Sequence, residues 1–204
     1  YRILVPLSKF RGARWGLDLA TQAVEIHGGN GYIETWGTAR QLRDAQCHTI
    51  WEGAENIICL DVLRSMAKDQ AHDALLDRVD KALSGTSHPA LGSVKDVIAR
   101  ARRDAQEIIL FLARADNDVR QLHARRVTAW LADLMQAALL LEQAEDDLKR
   151  TGNARKAAVV RFFVRGRLHQ SPMLGIGDDR SVLDLFEAVT RYEPLDVGAL
   201  PAGV

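Results

Sequence analysis

The sequence contains few of the residues that break helices or cross-link chains. It has 5 prolines and 2 cysteines among 204 residues, and no uncharged apolar run approaches the roughly 18 residues that a membrane helix needs. The two cysteines, Cys47 and Cys59, are too few for a disulfide framework and fit a reducing compartment. Because no signal-peptide pattern opens the chain, we predict a cytoplasmic protein without a membrane span. The chain begins with Tyr1 rather than Met, so we expect it to be part of a longer polypeptide.

The sequence also lacks net charge. Its 27 lysines and arginines balance 27 aspartates and glutamates, which excludes a polycation of the histone type but leaves room for a local basic patch. Charged residues make up 26 % of the chain and hydrophobic residues 47 %, as in a globular protein rather than a disordered one. The chain is long enough for one sizeable core or two small ones.

A stretch without glycine or proline, residues 93–151, predicts two helices joined by a polar turn. We place the turn at Asp116-Asn117-Asp118, because short polar side chains can cap a new helix. Apolar residues recur at helical spacing on both sides, which predicts an antiparallel pair of amphipathic helices. The predicted inward residues are Ile98, Ile108, Ile109 and Leu112 before the turn, and Leu122, Trp130, Leu134, Met135, Ala138 and Leu141 after it.

Periodicity and breaker positions predict six further helices. They cover Leu4–Ile26 (with Leu7, Phe10, Leu17, Ala20 and Val24 inward), Thr38–Ala45, Asn56–Met66, Ala71–Leu83, Arg155–Leu168 and Ser181–Arg191. The clearest loop runs from Ser84 to Pro89, and we expect the tail, rich in proline and glycine, to fray. No strand alternation occurs, so the predicted fold class is all-α.

A glycine cluster, Gly28-Gly29-Asn30-Gly31, follows the first predicted helix. Backbone N–H groups in such a cluster can cradle a phosphate. The cluster ends a helix instead of starting one and no strand precedes it, so spacing alone favours a plain helix terminator.

Glu52 lies between Trp51 and Gly53, next to a backbone breaker and among apolar neighbours. Desolvation in such a place raises the pKa of a carboxyl group and makes it a competent proton acceptor. The alternative is a carboxylate near a helix start that faces solvent, and without further information this alternative is favoured.

Two other groups of residues have side chains that can bind a metal ion or a phosphate. The metal-ligand types His27, Cys47, His48 and Cys59 match no zinc spacing, so no metal site is expected. Residues 149–167 carry seven cations and no acid, namely Lys149, Arg150, Arg155, Lys156, Arg161, Arg165 and Arg167. This basic segment fits either contact with phosphates of DNA or a coenzyme, or a solvated face paired with Glu142, Glu145 and Asp146, and the second is favoured.

Three motifs in order resemble the carboxy-terminal helical domain of acyl-CoA dehydrogenases. They are the Gly-Gly-x-Gly-aromatic turn within Ala23 to Tyr32, the Arg-Asp-Ala step from Arg43, and the aromatic-Glu-Gly step from Trp51. The run from Glu52 to Arg64 is most similar to the bacterial branch linked to the adaptive response to alkylation damage. The resemblance implies a flavoprotein whose amino-terminal helical and middle sheet domains precede Tyr1, so we expect the active site to be incomplete in this chain alone.

The resemblance also implies roles for single residues. Glu52 matches the base that removes the α-proton of an acyl-CoA thioester while hydride leaves the β-carbon for the flavin. Tyr32, Trp51 and Gly53 match the substrate pocket. The positions that match FAD contacts, partly across the interface of a homo-oligomer (dimer or tetramer), are Glu25, Ile26, His27, Gly28, Gly29, Ala54, Glu55 and Asn56. Glu25 replaces a frequent Gln and Ala54 a usual hydroxyl residue.

These observations lead to three hypotheses. The first is the carboxy-terminal part of an FAD-dependent acyl-CoA dehydrogenase, with residues 1–66 in the family's helical bundle and residues 67–204 as a helical extension. The second is a DNA-associated flavoprotein of the alkylation-response branch, with weak or no dehydrogenase activity, in which Arg155 to Arg167 meet DNA. The third is an all-helical structural fragment without activity of its own. We favour the first, and DNA binding is not favoured because the net charge is zero.

Overall fold

A computed structural model describes residues 1–169, 180–201 and 203, and within these ranges it contains helices and no strand. The predicted all-α fold class is confirmed. The helices are α1 (Leu4–Ile26), α2 (Gly29–Tyr32), α3 (Gly37–His48), α4 (Glu55–Asp69), α5 (Ala71–Gly85), α6 (Gly92–Arg114), α7 (Asn117–Thr151), α8 (Arg155–Arg167) and α9 (Ser181–Thr190). Short 3-10 turns lie at Pro89–Leu91 and Val197–Ala199. None of the described helices is long and apolar enough to cross a membrane.

The first of two compact units comprises Tyr1–His72 together with Leu112–Ala132. Within it α1 packs against α2, α3 and α4. Phe10, Cys59 and Ala124 form a buried cluster from α1, α4 and α7. The predicted inward residues of α1 divide along the helix, because Leu7 and Phe10 are buried whereas Leu17, Ala20 and Val24 are half-buried.

The chain reverses after α1 through a turn that depends on two glycines. Gly28 has a φ of 56°, in the left-handed region that side chains disfavour. A Cβ atom at Gly31 would lie 2.3 Å from the carbonyl oxygen of Val24, so α2 passes directly over the backbone of α1. The glycine cluster therefore ends α1, as the spacing predicts, and α2 begins within the cluster.

The second unit comprises Asp73–Phe111 together with Asp133–Val204. Its fully buried side chains come from α5, α6, α7 and α8, and include Val79, Ile98, Leu141 and Val160. Two arginines tie helices together at its surface. Arg78 of α5 forms a bidentate ion pair with Glu142 of α7, and Arg102 of α6 pairs with Asp80 of α5 at 2.8 Å.

The predicted turn between the two long helices is present, since α6 ends at Arg114 and α7 begins at Asn117. Asp116 caps α7, because its Oδ1 accepts a hydrogen bond from the Val119 amide at 2.9 Å. Most of the predicted apolar stripe is buried, but Leu122 is 74 % exposed. The prediction for Leu122 is wrong, since the buried face of the first turns of α7 runs through Ala124 and Val127 instead.

Described residues of the tail, which the sequence predicts to fray, are bonded to the start of α8 and to its buried arginine. The Leu195 carbonyl accepts from the Ala154 amide at 2.7 Å, and the Leu195 amide donates to Asn153 at 3.1 Å. Arg161 donates to the Pro201 carbonyl at 2.7 Å. Residues 202 and 204, also part of the predicted frayed tail, lie outside the described residues.

Candidate functional site

The turn between α3 and α4, residues 49–54, has an unusual backbone. Glu52 has a φ of 54° and Gly53 a φ of 107°. A left-handed conformation at a residue with a side chain is strained and is enriched at functional sites. The φ of Gly53 favours glycine, and a Cβ there would lie 3.1 Å from the end of the Ile58 side chain, which would have to shift by a few tenths of an ångström. We call residues 49–54 the Glu52 turn.

Glu52 and Trp51 lie on the edge of an open groove of about 270 Å³. The groove is lined by Lys9, Gly12, Ala13 and Gly16 of α1, by Ala45 and His48 of α3, and by Trp51 and Glu52. The rings of His48 and Trp51 are 5.9 Å apart, centroid to centroid. Three of the α1 residues that line the groove carry no side chain or only a methyl group.

Within this chain Glu52 is exposed to solvent, and Trp51 is 51 % exposed. The desolvated carboxylate predicted from its apolar neighbours is therefore not formed by these residues alone. The reason is that Ile50 and Trp51, the neighbours on which the prediction relied, are themselves 62 % and 51 % exposed and do not bury the carboxylate. Glu52 faces solvent, as the alternative interpretation of a carboxylate near a helix start predicts. It lies three positions before the first residue of α4.

Cations hold both ends of the Glu52 turn. Lys9 of α1 donates a hydrogen bond to the backbone carbonyl of His48, the last residue of α3. Arg14 of α1 pairs with the Glu55 carboxylate at 2.7 Å, and Arg125 of α7 approaches the same oxygen at 3.3 Å. Arg125 also donates to the Asn56 side-chain oxygen at 3.1 Å.

The Glu55 carboxylate has a particular place at the start of α4. Its side chain is 13 % exposed, and it is the first residue of the helix, where a negative charge is favoured by the helix dipole. Ala54, the residue before it, offers no side-chain cap. Glu55 and its two arginines thus stabilise a helix end that lacks the usual hydroxyl cap.

The other residues that the resemblance implies lie around the turn after α1. Glu25, His27, Gly28 and Gly29 are exposed, and Ile26 is 83 % exposed. A Cβ at Gly29 would meet no atom within 4 Å, so nothing inside the chain requires a glycine there. Tyr32 is 80 % exposed and does not line the groove beside Glu52.

The structure brings the sequence-predicted residues together in two places. Trp51, Glu52, Gly53, Ala54, Glu55 and Asn56 share the Glu52 turn and the start of α4. Glu25, Ile26, His27, Gly28, Gly29 and Tyr32 share the turn between α1 and α2. Lys9, Arg14 and Arg125 were not predicted, because each acts on a residue at least 39 positions away and no local pattern marks such a contact.

The cysteines and histidines of metal-ligand type lie in different environments. Cys59 is buried, and burial raises the pKa of its thiol. Cys47 is exposed, and His27 Nδ1 lies 2.8 Å from the Ala23 carbonyl of its own helix. Among the described residues no three histidines, cysteines or acids are grouped to hold a metal ion.

Three of the seven cations in the basic segment pair with acids of α7, which is the arrangement that the alternative to phosphate contact describes. Lys149 bonds to Glu145 at 2.8 Å, Arg150 to Asp146 at 2.7 Å, and Lys156 lies 3.5 Å from Asp147. These pairs follow from helical spacing and from the return of the chain after α7.

Arg161 corrects the picture of one exposed basic face. It is 5 % exposed, its guanidinium donates to the backbone carbonyls of Pro201, Gly203 and Ala90, and burial lowers its pKa. A side chain so placed cannot reach DNA. The sequence could not show this, because the carbonyls of Pro201 and Gly203 lie about 40 positions farther along the chain.

Comparison with known proteins finds relatives in the family that the motifs resemble. Residues 2–67 match the model of the acyl-CoA dehydrogenase C-terminal domain. Acyl-CoA dehydrogenase family member 11 of Caenorhabditis elegans is 30 % identical over 154 residues, which are 71 % of this chain and 24 % of that protein. AidB of Escherichia coli strain K12 is 32 % identical over 107 residues, 52 % of this chain and 20 % of AidB.

Solved acyl-CoA dehydrogenase structures share the fold. Caenorhabditis elegans ACDH-11, solved in complex with C11-CoA, superposes with a TM-score of 0.74 at 25 % identity, over 92 % of this chain and 32 % of that one. An acyl-CoA dehydrogenase of Bacillus anthracis complexed with FAD gives 0.67 at 20 % identity, over 97 % of this chain and 38 % of that one, which shows the fold alone. The chain thus has homologues among acyl-CoA dehydrogenases, and AidB is one of them. It spans about a quarter of the length of the curated relatives it matches.

Proposed function

We propose that this chain is the carboxy-terminal part of an FAD-dependent acyl-CoA dehydrogenase in which Glu52 is the catalytic base. The observation that carries the proposal is the position of Glu52: within the segment that matches the family, it has a strained backbone and lies on the edge of an open groove. Strained residues at the edge of a groove are typical of active sites.

The proposed reaction needs one proton acceptor and one hydride acceptor. The Glu52 carboxylate takes the α-proton of the acyl thioester, and the bonding pair left behind forms a double bond to the β-carbon. FAD, when bound, would supply the acceptor for the hydride that leaves the β-carbon, which no side chain provides. The product is the α,β-unsaturated thioester, and Glu52 is left protonated.

The residues present fit a flavin dinucleotide. Gly29 has open space where a Cβ would be, so a phosphate or ribose can approach the backbone closely there. The side chains of Glu55 and Asn56 are already bonded to arginines. These two positions therefore contribute through the N–H groups of the first turn of α4, which have no acceptor within the helix.

The exposed aromatic residues support a substrate pocket that other parts of the protein complete. Trp51 and Tyr32 are 51 % and 80 % exposed, and a ring covered on one side offers apolar area to an acyl chain. Closure over Trp51 and Glu52 by those other parts removes water from the reacting atoms. Sharing of FAD between subunits of a homo-oligomer and a cytoplasmic location remain parts of the proposal. No observation on the described residues favours the DNA-associated alternative.

The test is Glu52→Gln in the full-length gene product. Glutamine keeps the shape of the side chain but cannot accept the proton, so acyl-CoA-dependent flavin bleaching is lost while FAD stays bound. General-base loss of this kind lowers the rate by roughly 10² to 10⁴-fold. Stopped-flow absorbance measures the bleaching, and flavin absorbance after gel filtration measures retention.

Asp69→Asn serves as the matched control, because Asp69 is the last residue of α4, away from the groove, and the change removes the same charge. It should bleach at the wild-type rate. If Glu52→Gln bleaches its flavin at the wild-type rate with every acyl-CoA that the wild type oxidises, Glu52 is not the base.

A further inference from the structure

We propose that Lys9 and Arg14 of α1 are positioning residues that fix the two ends of the Glu52 turn, Lys9 at His48 and Arg14 at Glu55. Arg125 of α7 is a second positioning residue at the Glu55 end. The inference rests on the proposed function, since it assigns these cations to the placement of the base. The carboxylate that they place belongs to a residue that the chain itself leaves exposed.

At its first end the turn leaves α3 at His48. The last carbonyls of a helix have no partner within the helix, and a lysine side chain can supply one. Lys9, half-buried on α1, donates to the His48 carbonyl. The amides of Ile50 and Trp51 donate back to the Cys47 carbonyl at 3.0 and 3.1 Å. The backbone is therefore fixed up to the residue before Glu52.

At its second end the turn enters α4 at Glu55. Ala54 provides no side-chain cap, so the helix start is fixed through the Glu55 carboxylate, to which Arg14 donates at 2.7 Å. An arginine–carboxylate bond at this distance is charge-assisted and strong for a partly buried pair. Arg125 adds a contact at 3.3 Å to the same carboxylate and a bond to Asn56.

Between these two ends lie the strained residues. A left-handed residue with a side chain persists only where its surroundings determine the backbone on both sides. Glu52 is exposed and cannot supply that restraint through its own packing. Both restraints come from α1, and Lys9 and Arg14 are separated by less than one and a half turns of it. One rigid helix therefore sets the distance between the two ends.

The experiment compares Arg14→Gln with Arg2→Gln in the full-length gene product. Arg2, near the start of the chain, also bonds to α4, through a bidentate pair with Asp61 at 2.7 and 2.8 Å. Asp61 lies six positions after Glu55, the first residue of α4, and Arg2 does not contact the Glu52 turn. Both changes remove one guanidinium that bonds to α4. Amide hydrogen exchange of residues 50–55 is measured by mass spectrometry, with residues 58–68 as the internal reference.

We expect Arg14→Gln to speed exchange in residues 50–55 by about tenfold, because a charge-assisted bond to the helix start is lost. Arg2→Gln should leave that exchange within about twofold of the wild type. Lys9→Gln should speed exchange of the same residues, and Arg14→Lys should restore part of the protection. Should Arg14→Gln fail to fold, Arg125→Gln, at a side chain 56 % exposed, gives the same comparison.

The kinetic arm separates positioning from plain stability. With the base displaced, kcat for flavin bleaching falls while KM for acyl-CoA stays within about twofold, and Arg14→Lys recovers part of kcat. The proposal is overturned if residues 50–55 exchange as in the wild type, if residues 58–68 lose protection equally, or if KM alone changes. A wild-type protein that oxidises no acyl-CoA refutes the proposed function, and the exchange data then still decide whether the cations hold the turn.

Discussion

At the scale of single residues, two glycines in the turn after α1 differ in what the fold requires of them. Gly31 is required by close approach, since a Cβ there would overlap the Val24 carbonyl. Gly29 has ordinary dihedral angles and open space around it. If only folding selected these residues, an alanine at position 29 would serve as well. Nothing within the chain therefore requires a glycine at position 29, which leaves its backbone open to the cofactor contact that the proposed function assigns to it.

This difference predicts opposite results for two alanine substitutions. Gly31→Ala should destabilise the first unit by roughly 1–3 kcal/mol, because backbone must move to relieve the overlap. Gly29→Ala should leave stability unchanged or raise it by up to about 1 kcal/mol, since alanine is the better helix residue. Urea denaturation of the two variants measures both.

Gly29→Ala should also lower FAD occupancy of the full-length gene product at unchanged stability. Equal stability of both variants would contradict the close approach of α2 to α1. Wild-type FAD affinity in Gly29→Ala would remove position 29 from the flavin contacts.

At the scale of helices, Glu145 of α7 fixes the loop between α5 and the 3-10 turn that precedes α6. Its carboxylate accepts from the Ser87 amide at 3.1 Å, from the Ser87 hydroxyl at 3.0 Å and from the His88 amide at 3.0 Å, and it pairs with Lys149. Burial opposes its ionisation, but these bonds outweigh burial and bring its pKa to about 2. The shift makes ionised Glu145 a source of stability for the second unit.

The pH dependence follows from the direction of that shift. A carboxyl group whose pKa is lower folded than unfolded stabilises the fold above about pH 4.5, and this contribution disappears as the pH falls toward 2. Glu145→Gln should therefore destabilise the protein by on the order of 3 kcal/mol at pH 7, and the difference from wild type should shrink below about pH 4.5. Chemical denaturation at several pH values measures it.

Lys149→Met is the control for the Glu145 prediction, since it removes a partner that is 55 % exposed. It should cost no more than about 1 kcal/mol. A pH-independent difference between Glu145→Gln and wild type would show that the carboxylate charge does not matter.

The helices were predictable where local chemistry decides them. The absence of breakers from residue 93 to 151 and the Asp116 cap placed α6, α7 and their turn correctly. The residue at which α4 ends was not predictable from the sequence. The helix continues to Asp69 and stops where Gln70 adopts a φ of 48°, a conformation that glutamine does not signal in sequence.

Side-chain environments were less predictable than helices. Periodicity placed Leu122 on the inward stripe, yet it is exposed, because one stripe was extended along all of a helix whose buried face changes. Arg161 was grouped with its charged neighbours in the basic segment, yet its guanidinium donates hydrogen bonds to backbone carbonyls of the tail. At the site, the motifs identified Glu52 and its neighbours, whereas Lys9, Arg14 and Arg125 reach the turn from distant positions that only the fold brings near.

At the scale of the whole molecule, the matched segment does not stand alone. Arg125 lies outside residues 2–67, yet it bonds to Glu55 and Asn56 within them. The start of α7 is thus part of the first unit and supports the Glu52 turn. The aligned part of this chain is 24 % of the first relative. Cover for the exposed groove and Trp51 by other parts of the protein belongs to the proposed function.

The most direct measurement is an anaerobic titration of the full-length gene product with saturated acyl-CoA thioesters of increasing chain length, followed by visible absorption. We expect the purified protein to carry the flavin spectrum and to be bleached by at least one thioester, with formation of the matching α,β-unsaturated product. A protein that binds no flavin, even with FAD added, or whose flavin no thioester bleaches, would contradict the proposal that this chain is part of an active acyl-CoA dehydrogenase.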